Sequence, residues 1–515
     1  MTGNDTTNNA GYLSKLRLVA RDGKRVGPGL IDDGRRPPID PPIDPPGDPP
    51  VDPVHLRVGS DVEIAQRLAG ELREELGEPV WAEGQLWHYD SAHWQPYPEE
   101  RLRLRAHRYD GGLFVRPGRK NADLVQLGRA RLNSIINEFA TILADPGFFD
   151  GAAIGVNCAS GFLAFDEIGR VSVLSHHPQH RVRHVLRGFW DPKYDSIGFI
   201  PPPDSLLGRL LNGSFAGDDD ATLKQDVLGE ASGSAVLGHG TKLTQPKAIV
   251  LLGHDADNGK SQFLNALSGL LPASARASIP PHKMTNEHSV VHLRGALANI
   301  SAELSSARAI AGDAFKMAVT GDEMTGRDLY RSEIPFRPVA QHFYACNRLP
   351  KFSEGIDRGV ERRLLVVVFG RKIPLNEQIE ELGKRIAAEE PDLLLAFAVA
   401  GAKRLRASGR FTIPPSSRAR LLQWVYESDP ARAWVQAEVE VCLDEPERHS
   451  VTTMQAYQAF CAWAKDEGFG ADERPMKSAF TLQVPQHAPG IKLVRRSDGT
   501  RFLGIRIGHK KVVDD

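Results

Sequence analysis

Cysteine is scarce. Its four residues, Cys158, Cys346, Cys442 and Cys461, lie far apart among 515 and form no Cys-x-x-Cys pair. That spacing excludes a disulfide framework or a zinc ribbon and suits a reducing cytoplasm. Long hydrophobic runs are missing too. No apolar stretch reaches the roughly 18 residues of a membrane span, and the Asn- and Thr-rich N-terminus lacks the apolar core of a signal peptide. Nor is one sign of charge in excess: Lys+Arg 64 against Asp+Glu 65 leaves −1. Overall charge therefore argues neither for nor against nucleic acid, and any electrostatic case must be local. What is present, 41% apolar and 25% charged residues, is globular in character. A chain this long is expected to hold roughly three domains with linkers.

The first is no domain at all. Residues 1–54 carry the tandem Pro37-Pro38-Ile39-Asp40 through Pro49-Pro50-Val51-Asp52, a disordered tract that favours extended polyproline and acts as a spacer rather than a core. Residues 55–204 read as α+β. Val62–Leu76 and Ala122–Leu143 have helical periods, and a strand-like stretch carries Trp81, Trp87, Tyr89, Trp94 and Tyr97. In such a strand-rich segment aromatics are more often core than base-stacking platforms. Strands and helices alternate over 205–375, as in a parallel α/β sheet, and 376–432 reads as a helical lid or linker. Over 433–515 the order is helix, helix, then strands around Ser497-Asp498-Gly499-Thr500, which suggests a winged helix.

The strand-like run Ala248–Leu252 leads into Gly253-His254-Asp255-Ala256-Asp257-Asn258-Gly259-Lys260-Ser261, and a helical pattern follows. A phosphate-binding loop requires this order, because backbone N–H groups and a helix N-terminus then form a cradle for anionic oxygens. Gly253, Asn258, Gly259, Lys260, Ser261 and Gln262 are the candidate nucleotide contacts. Lys260 would reach the β- and γ-phosphates of ATP, and the Ser261 hydroxyl would bind Mg²⁺. Five residues rather than the usual four separate the two glycines. A surface turn that happens to spell Gly-Lys-Ser is the alternative; strand before and helix after weigh against it.

Downstream, Ala296–Glu303 is a short apolar run ending in a carboxylate, so Glu303 is assigned to water activation and to the metal. Gln341–Asn347 ends in a lone amide that can orient water or sense the γ-phosphate. Arg362 and Arg363 precede the strand-like Leu364–Phe369 and can supply a cation to a neighbouring subunit. Each has a plainer reading: a surface glutamate, a turn-forming asparagine, solvated arginines.

Taken in order, Asn258–Ser261, Asn299–Leu304, Lys316–Asp322, Asn347–Pro350 and Arg362–Phe369 make the chain resemble the superfamily 3 helicases of the phage/plasmid primase–helicase family, relatives of the poxvirus primase–helicase. The resemblance implies an AAA+-like P-loop core and a hexameric ring that translocates 3′→5′ on single-stranded DNA. It implies Glu303 as the acid, Asn347 as the sensor, and Arg363, with Arg362 second, as a finger acting in trans. A hairpin over about 325–338 would enter the channel, with Tyr330 and Arg331 near its tip and Arg327 beside it; Lys316 would face the same channel. Solvation of an exposed hairpin is the alternative for these cations. Ala302 stands where many ATPases carry Asp, and no primase-like cluster of acids is evident before residue 200. Lys492, Arg495, Arg496, Arg501, Arg506, Lys510 and Lys511 crowd the C-terminal strands, where origin DNA is the expected partner and a solvated hairpin the alternative.

The expectation is an ATP-driven replicative helicase of a bacterial mobile element, cytoplasmic, with single-stranded and origin DNA, its own copies, and host primase or replisome proteins as partners. The rivals are a DNA-binding ATPase that uses ATP only to assemble and a P-loop small-molecule kinase.

Overall fold

Residues 54–166, 169–304, 308–328, 333–353, 355–471 and 474–508 are described by the computed structural model. The Pro-rich tract, Tyr330, Arg331, Lys510 and Lys511 lie outside them. Ser60 starts α1 (Asp61–Leu76) by accepting from the Glu63 N–H at 3.2 Å. The Glu63 carboxylate turns back onto the N–H groups of Arg57, Val58 and Gly59, a variant of a capping box. Ile64, Ala65, Leu68, Ala69 and Leu72 then form one buried face.

The antiparallel strands β1 (Val80–Ala82), β2 (Gln85–Tyr89) and β3 (Trp94–Pro96) follow. Trp87 and Trp94 are buried edge-on against Phe149 and Phe148, each at 4.7 Å between centroids. These two rings are core, as the strand-rich context suggested. The long helix expected over 122–143 is shorter: α2 spans Arg129–Ile142, and Asp123–Leu124 pairs as a strand with Leu113–Phe114. Extended backbone at Gly128 separates the two. A second antiparallel meander, β4 (Gly155–Cys158), β5 (Gly161–Phe165) and β6 (Val171–Leu174), completes this region.

The centre of the molecule is a mixed α/β unit on a parallel sheet. Helices α3 (Leu206–Phe215) and α4 (Ala221–Val236) lead to β7 (Ala248–Leu252), α5 (Lys260–Leu270), β8 (Arg276–Ala277) and β9 (Ala298–Ser301). Next come α6 (Gly312–Thr320), the hairpin β10 (Met324–Gly326) and β11 (Ile334–Phe336), then β12 (Gln341–Cys346) and β13 (Leu364–Val368). Strands β8-β9-β12-β7-β13, in that order, are all parallel. Strand β7 is buried on both faces, as its unbroken apolar run requires. Its residues alternate: Ile249 and Leu251 enter one core, Ala248, Val250 and Leu252 the other.

The first core is covered by α3, α4, α5, α7 (Leu382–Glu389) and α8 (Pro391–Ser408). Residues 376–408, expected as the start of a helical linker, are thus helical in large part and share the core of the sheet. Beneath the opposite face lie α6 and α9 (Pro415–Ser428).

At the C-terminal end, α10 (Pro430–Glu438), β14 (Ser450–Thr452), α11 (Thr453–Asp466) and α12 (Lys477–His487) precede β15 (Lys492–Arg496) and β16 (Gly499–Leu503). The three strands pair antiparallel in the order β14-β16-β15; the hairpin lies where the sequence indicated it, with Ser497-Asp498 as its turn and Gly499 already paired with Arg496. Trp434, Phe460 and Phe480 centre their own core.

Candidate functional site

The loop after β7 is folded on itself. Gly253 donates its N–H to the Cys346 carbonyl at 3.2 Å, and Asn258 Nδ2 donates to Asp255 O at 2.6 Å. The extra residue is absorbed by a left-handed Asp257, φ 60°, followed by Gly259 at φ 94°. Gly253 leaves no room for a side chain: a Cβ there would stand 2.6 Å from Lys260 Nζ and 2.9 Å from Phe369 O. Helix α5 starts at Lys260, whose own N–H makes a long contact to Asn258 Oδ1 at 3.5 Å; its N-cap Gly259 has no side chain, and the N–H groups of Ser261 and Gln262 face the loop as anion donors.

Lys260 is the decisive residue. The residue is 6% exposed, and its ammonium donates to Gly253 O and Asn258 Oδ1, both at 3.0 Å. Burial pulls its pKa below the ordinary lysine value, with Cys346 and Asp255 opposing. Among the described residues both of its hydrogen-bond acceptors are neutral. A buried cation without a charged partner is costly, and a phosphate oxygen would relieve it.

The sheet order brings the other groups to the same edge. Register pairs Leu252 of β7 with Cys346 of β12, and Ser301 of β9 with Tyr344 of β12. Asn347 and Glu303 therefore follow the carboxyl ends of strands adjacent to one another, beside the Lys260 loop. The Leu304 N–H tethers Glu303's segment to Ala345 O at 3.0 Å. Ser261, Glu303 and Asn347 are exposed. Among the described residues no group of three His, Cys, Asp or Glu side chains could hold a metal by itself. Ser261 and Glu303 suit an ion that arrives with phosphate oxygens, as Mg²⁺ does.

Arg362 and Arg363 stand at the opposite end, before β13. Their carbonyls accept from Lys247 Nζ and the Ala248 N–H, both at 2.8 Å. The five residues of β13 span roughly 16 Å, so neither arginine shares an edge with Lys260 within one chain. Arg363 Nη1 donates to Gly359 O at 2.7 Å while its buried Nε has no partner. Exposed Arg362 lines a recess of about 860 Å³ with Lys247, Arg358, Arg418 and Arg432.

Other candidates are more engaged than their sequence context indicated. Gln262 Oε1 accepts from the Gly383 N–H at 2.8 Å, holding α7. Lys316 pairs with Asp313 and Asp357 at 2.8 and 3.2 Å. Arg327, just past the end of β10, pairs with Glu287, so its charge is already met. Of the C-terminal cations, Arg496 pairs with Glu447, Arg501 with Asp498 and Arg506 with Glu440. That corrects the picture of an uncompensated cluster; Lys492 and Arg495 remain exposed without an acidic partner among the described residues.

Two roles were not legible beforehand, that of Asn258 as a clip rather than a nucleotide contact and that of Cys346. Asn258 clips Lys260, and Cys346 ends the central strand under the loop, where burial pushes its thiol up to about 12 and leaves it neutral. The cysteine's only sequence signal was its place one residue before Asn347.

Residues 251–363 match the model of a family of unknown function, DUF5906. No curated protein matches the chain. Among solved structures, it is similar to the apo structure of the NrS-1 C-terminal region (305–718) at 12% identity, covering 87% of this chain and 100% of that one with a TM-score of 0.44. The A form of the same NrS-1 region gives 11% identity, 86% and 99% coverage, and a TM-score of 0.43.

Proposed function

We propose that the chain is an ATP-dependent DNA helicase of a phage, satellite or integrated mobile element, acting as a hexameric ring on single-stranded DNA. One observation carries this: a buried Lys260 with only neutral hydrogen-bond partners, at the head of α5, on the sheet edge that also bears Glu303 and Asn347. Lys260 and the open N–H groups of α5 bind the phosphates. Ser261 and Glu303 would hold Mg²⁺, which when bound neutralises charge on the β- and γ-phosphate oxygens. A Glu303 carboxylate oxygen takes the proton of the attacking water, and the Asn347 amide orients that water.

Arg363, or Arg362, completes the site of the next subunit. Their position at the far end of β13 supports action in trans, and the basic recess around Arg362 suits an anionic partner. The hairpin β10–β11 is the candidate channel element, and the C-terminal helices with β14–β16 are the candidate winged helix for origin DNA. Host primase or replisome proteins are further candidate partners in the bacterial cytoplasm. Among the described residues no helix is long and apolar enough to cross a membrane.

ATP hydrolysis with and without single-stranded DNA, unwinding of a forked duplex, and mass in solution with both ligands test the reading together. Lys260→Ala should abolish hydrolysis. Arg363→Ala subunits mixed into wild-type rings should inhibit more than in proportion to their share; strictly proportional loss would remove the trans role. Hydrolysis and assembly without unwinding would favour the assembly ATPase, a reading that Ala302 supports because Glu303 then has no neighbouring Asp.

A further inference from the structure

The recess of about 860 Å³ around Arg362 lies at the amino ends of β7 and β13, opposite the Lys260 loop. Lys247, the residue before β7, reaches it from the sheet, and the short helix Arg358–Glu361 and α9 form its sides. Glu361 is the one acid among the lining residues, and Arg432 already pairs with it at 3.7 Å. Arg358, Arg362 and Arg418 are exposed and have no acidic partner among the described residues. The Lys247 ammonium donates to a neutral acceptor, the Arg362 carbonyl, at 2.8 Å, and burial pulls its pKa below the ordinary lysine value. Like charges gathered in this way repel unless an anion sits between them.

A second observation points into the same recess. Ser417, on α9, is 1% exposed and lines it, yet its Oγ has no hydrogen-bond partner among the described residues. A buried hydroxyl left unpaired is costly, and an incoming acceptor would relieve it. Hydroxyl and guanidinium donors side by side suit phosphate oxygens. No aromatic ring is among the lining residues, so nothing here stacks on a base. A further recess of about 700 Å³ adjoins the first, shares Lys247 and Ile413 with it, and adds the exposed Arg410. Together they are longer than one phosphate needs and fit an extended polyanion. They also lie at the end of the sheet where the hairpin β10–β11 leads into β12: Gln341, the first residue of β12, donates from Nε2 to the Lys247 carbonyl at 2.7 Å.

We propose that this recess binds the sugar–phosphate backbone of single-stranded DNA, with Arg358 and Arg418 pairing with phosphate oxygens and Ser417 Oγ donating to one of them. The inference rests on the DNA reading above and adds a site apart from the hairpin, one that holds the strand without regard to sequence. Arg363, turned onto Gly359 O, does not line the recess, so its proposed role in the neighbouring subunit is separate.

Fluorescence anisotropy of a labelled oligothymidylate with the full chain, without nucleotide or Mg²⁺, tests it. The double variant Arg358→Ala/Arg418→Ala should bind about tenfold more weakly, and its salt slope should fall by about 1.4, two contacts at roughly 0.7 each. Ser417→Ala should weaken binding about threefold without lowering the melting temperature, because it removes a hydroxyl that is unpaired in the fold; a lower melting temperature with unchanged DNA affinity would make Ser417 structural and overturn its role. An abasic strand should displace the oligothymidylate as well as an unlabelled copy does; failure of the abasic strand would overturn backbone recognition. Polyglutamate competing equally at equal charge would assign the recess to an acidic protein segment, and tripolyphosphate competing equally at equal phosphate concentration would assign it to nucleotide phosphates; either result overturns the proposal. Unchanged affinity in the double variant would overturn the recess while wild-type binding upheld the DNA reading. No binding of DNA by the wild type would overturn both.

Discussion

At the scale of single residues, the site is governed by how little space surrounds the Lys260 ammonium. Gly253 is required because any Cβ meets Asn258 Nδ2 at 2.2 Å and the Phe369 carbonyl at 2.9 Å. Gly253→Ala should therefore weaken ATP binding about tenfold or more while costing only about 1–3 kcal/mol of stability. Titration and urea melts check both halves, and wild-type affinity in this variant would refute the packing account. Asn258 has a second role besides its place in a motif, since it accepts from Lys260 while tying the loop through Asp255. The sequence showed the loop, its lysine and its unusual length. It did not show that Lys260 is buried with neutral partners only, because that depends on Gly253, Cys346 and Phe369 from three different strand ends.

Among the elements, two contacts carry specificity that composition hides. Helices α4 and α8 approach until a Cβ on Gly401 would fall 1.9 Å from Gly229 O, and one on Gly233 would fall 2.1 Å from Ala402 N. Backbone cannot yield as a side chain can, so Gly401→Ala should lose about 3 kcal/mol or more, seen as a clear drop in melting temperature. The second contact is Asn299, fully buried in β9. It accepts from Ile279 N–H at 2.7 Å, donates to Ile279 O at 2.9 Å, and adjoins His342 Nδ1 and Tyr344 OH at 3.1 and 3.3 Å. Asn299→Ala strands these groups in the core and should cost roughly 2–4 kcal/mol. A loss below about 1 kcal/mol by chemical denaturation would show that the network is not needed. In the sequence Asn299 opens a motif block with Glu303; in the fold it crosslinks strand β9 to its neighbours, while Glu303 alone faces solvent.

For the molecule as a whole, buried histidines link stability to pH. Burial depresses His342 and His184 to about 4, against about 6.5 in an unfolded chain. The unfolded chain takes up these protons first. The stabilisation is therefore complete above pH 6.5 and is lost as pH falls towards 4, by roughly 2 kcal/mol for each residue at pH 5. Denaturation midpoints at pH 7.5 and 5 should separate accordingly, and His342→Gln should narrow the gap; equal midpoints in the wild type would contradict it.

Periodicity along the chain was enough to determine the strand before the loop, the helix after it, the Asp-Gly hairpin and the α/β character of the centre, since each depends on neighbours within a few residues. Which groups share an edge was decided only in three dimensions. The order β8-β9-β12-β7-β13 sets Glu303 and Asn347 beside Lys260 and sends Arg362 and Arg363 to the far end. Charge pairing was decided there too, when Glu447 and Glu440 met Arg496 and Arg506 across some fifty and more residues of chain. Side-chain alternation is written locally, whereas register and partner choice follow from burying many distant apolar faces at once.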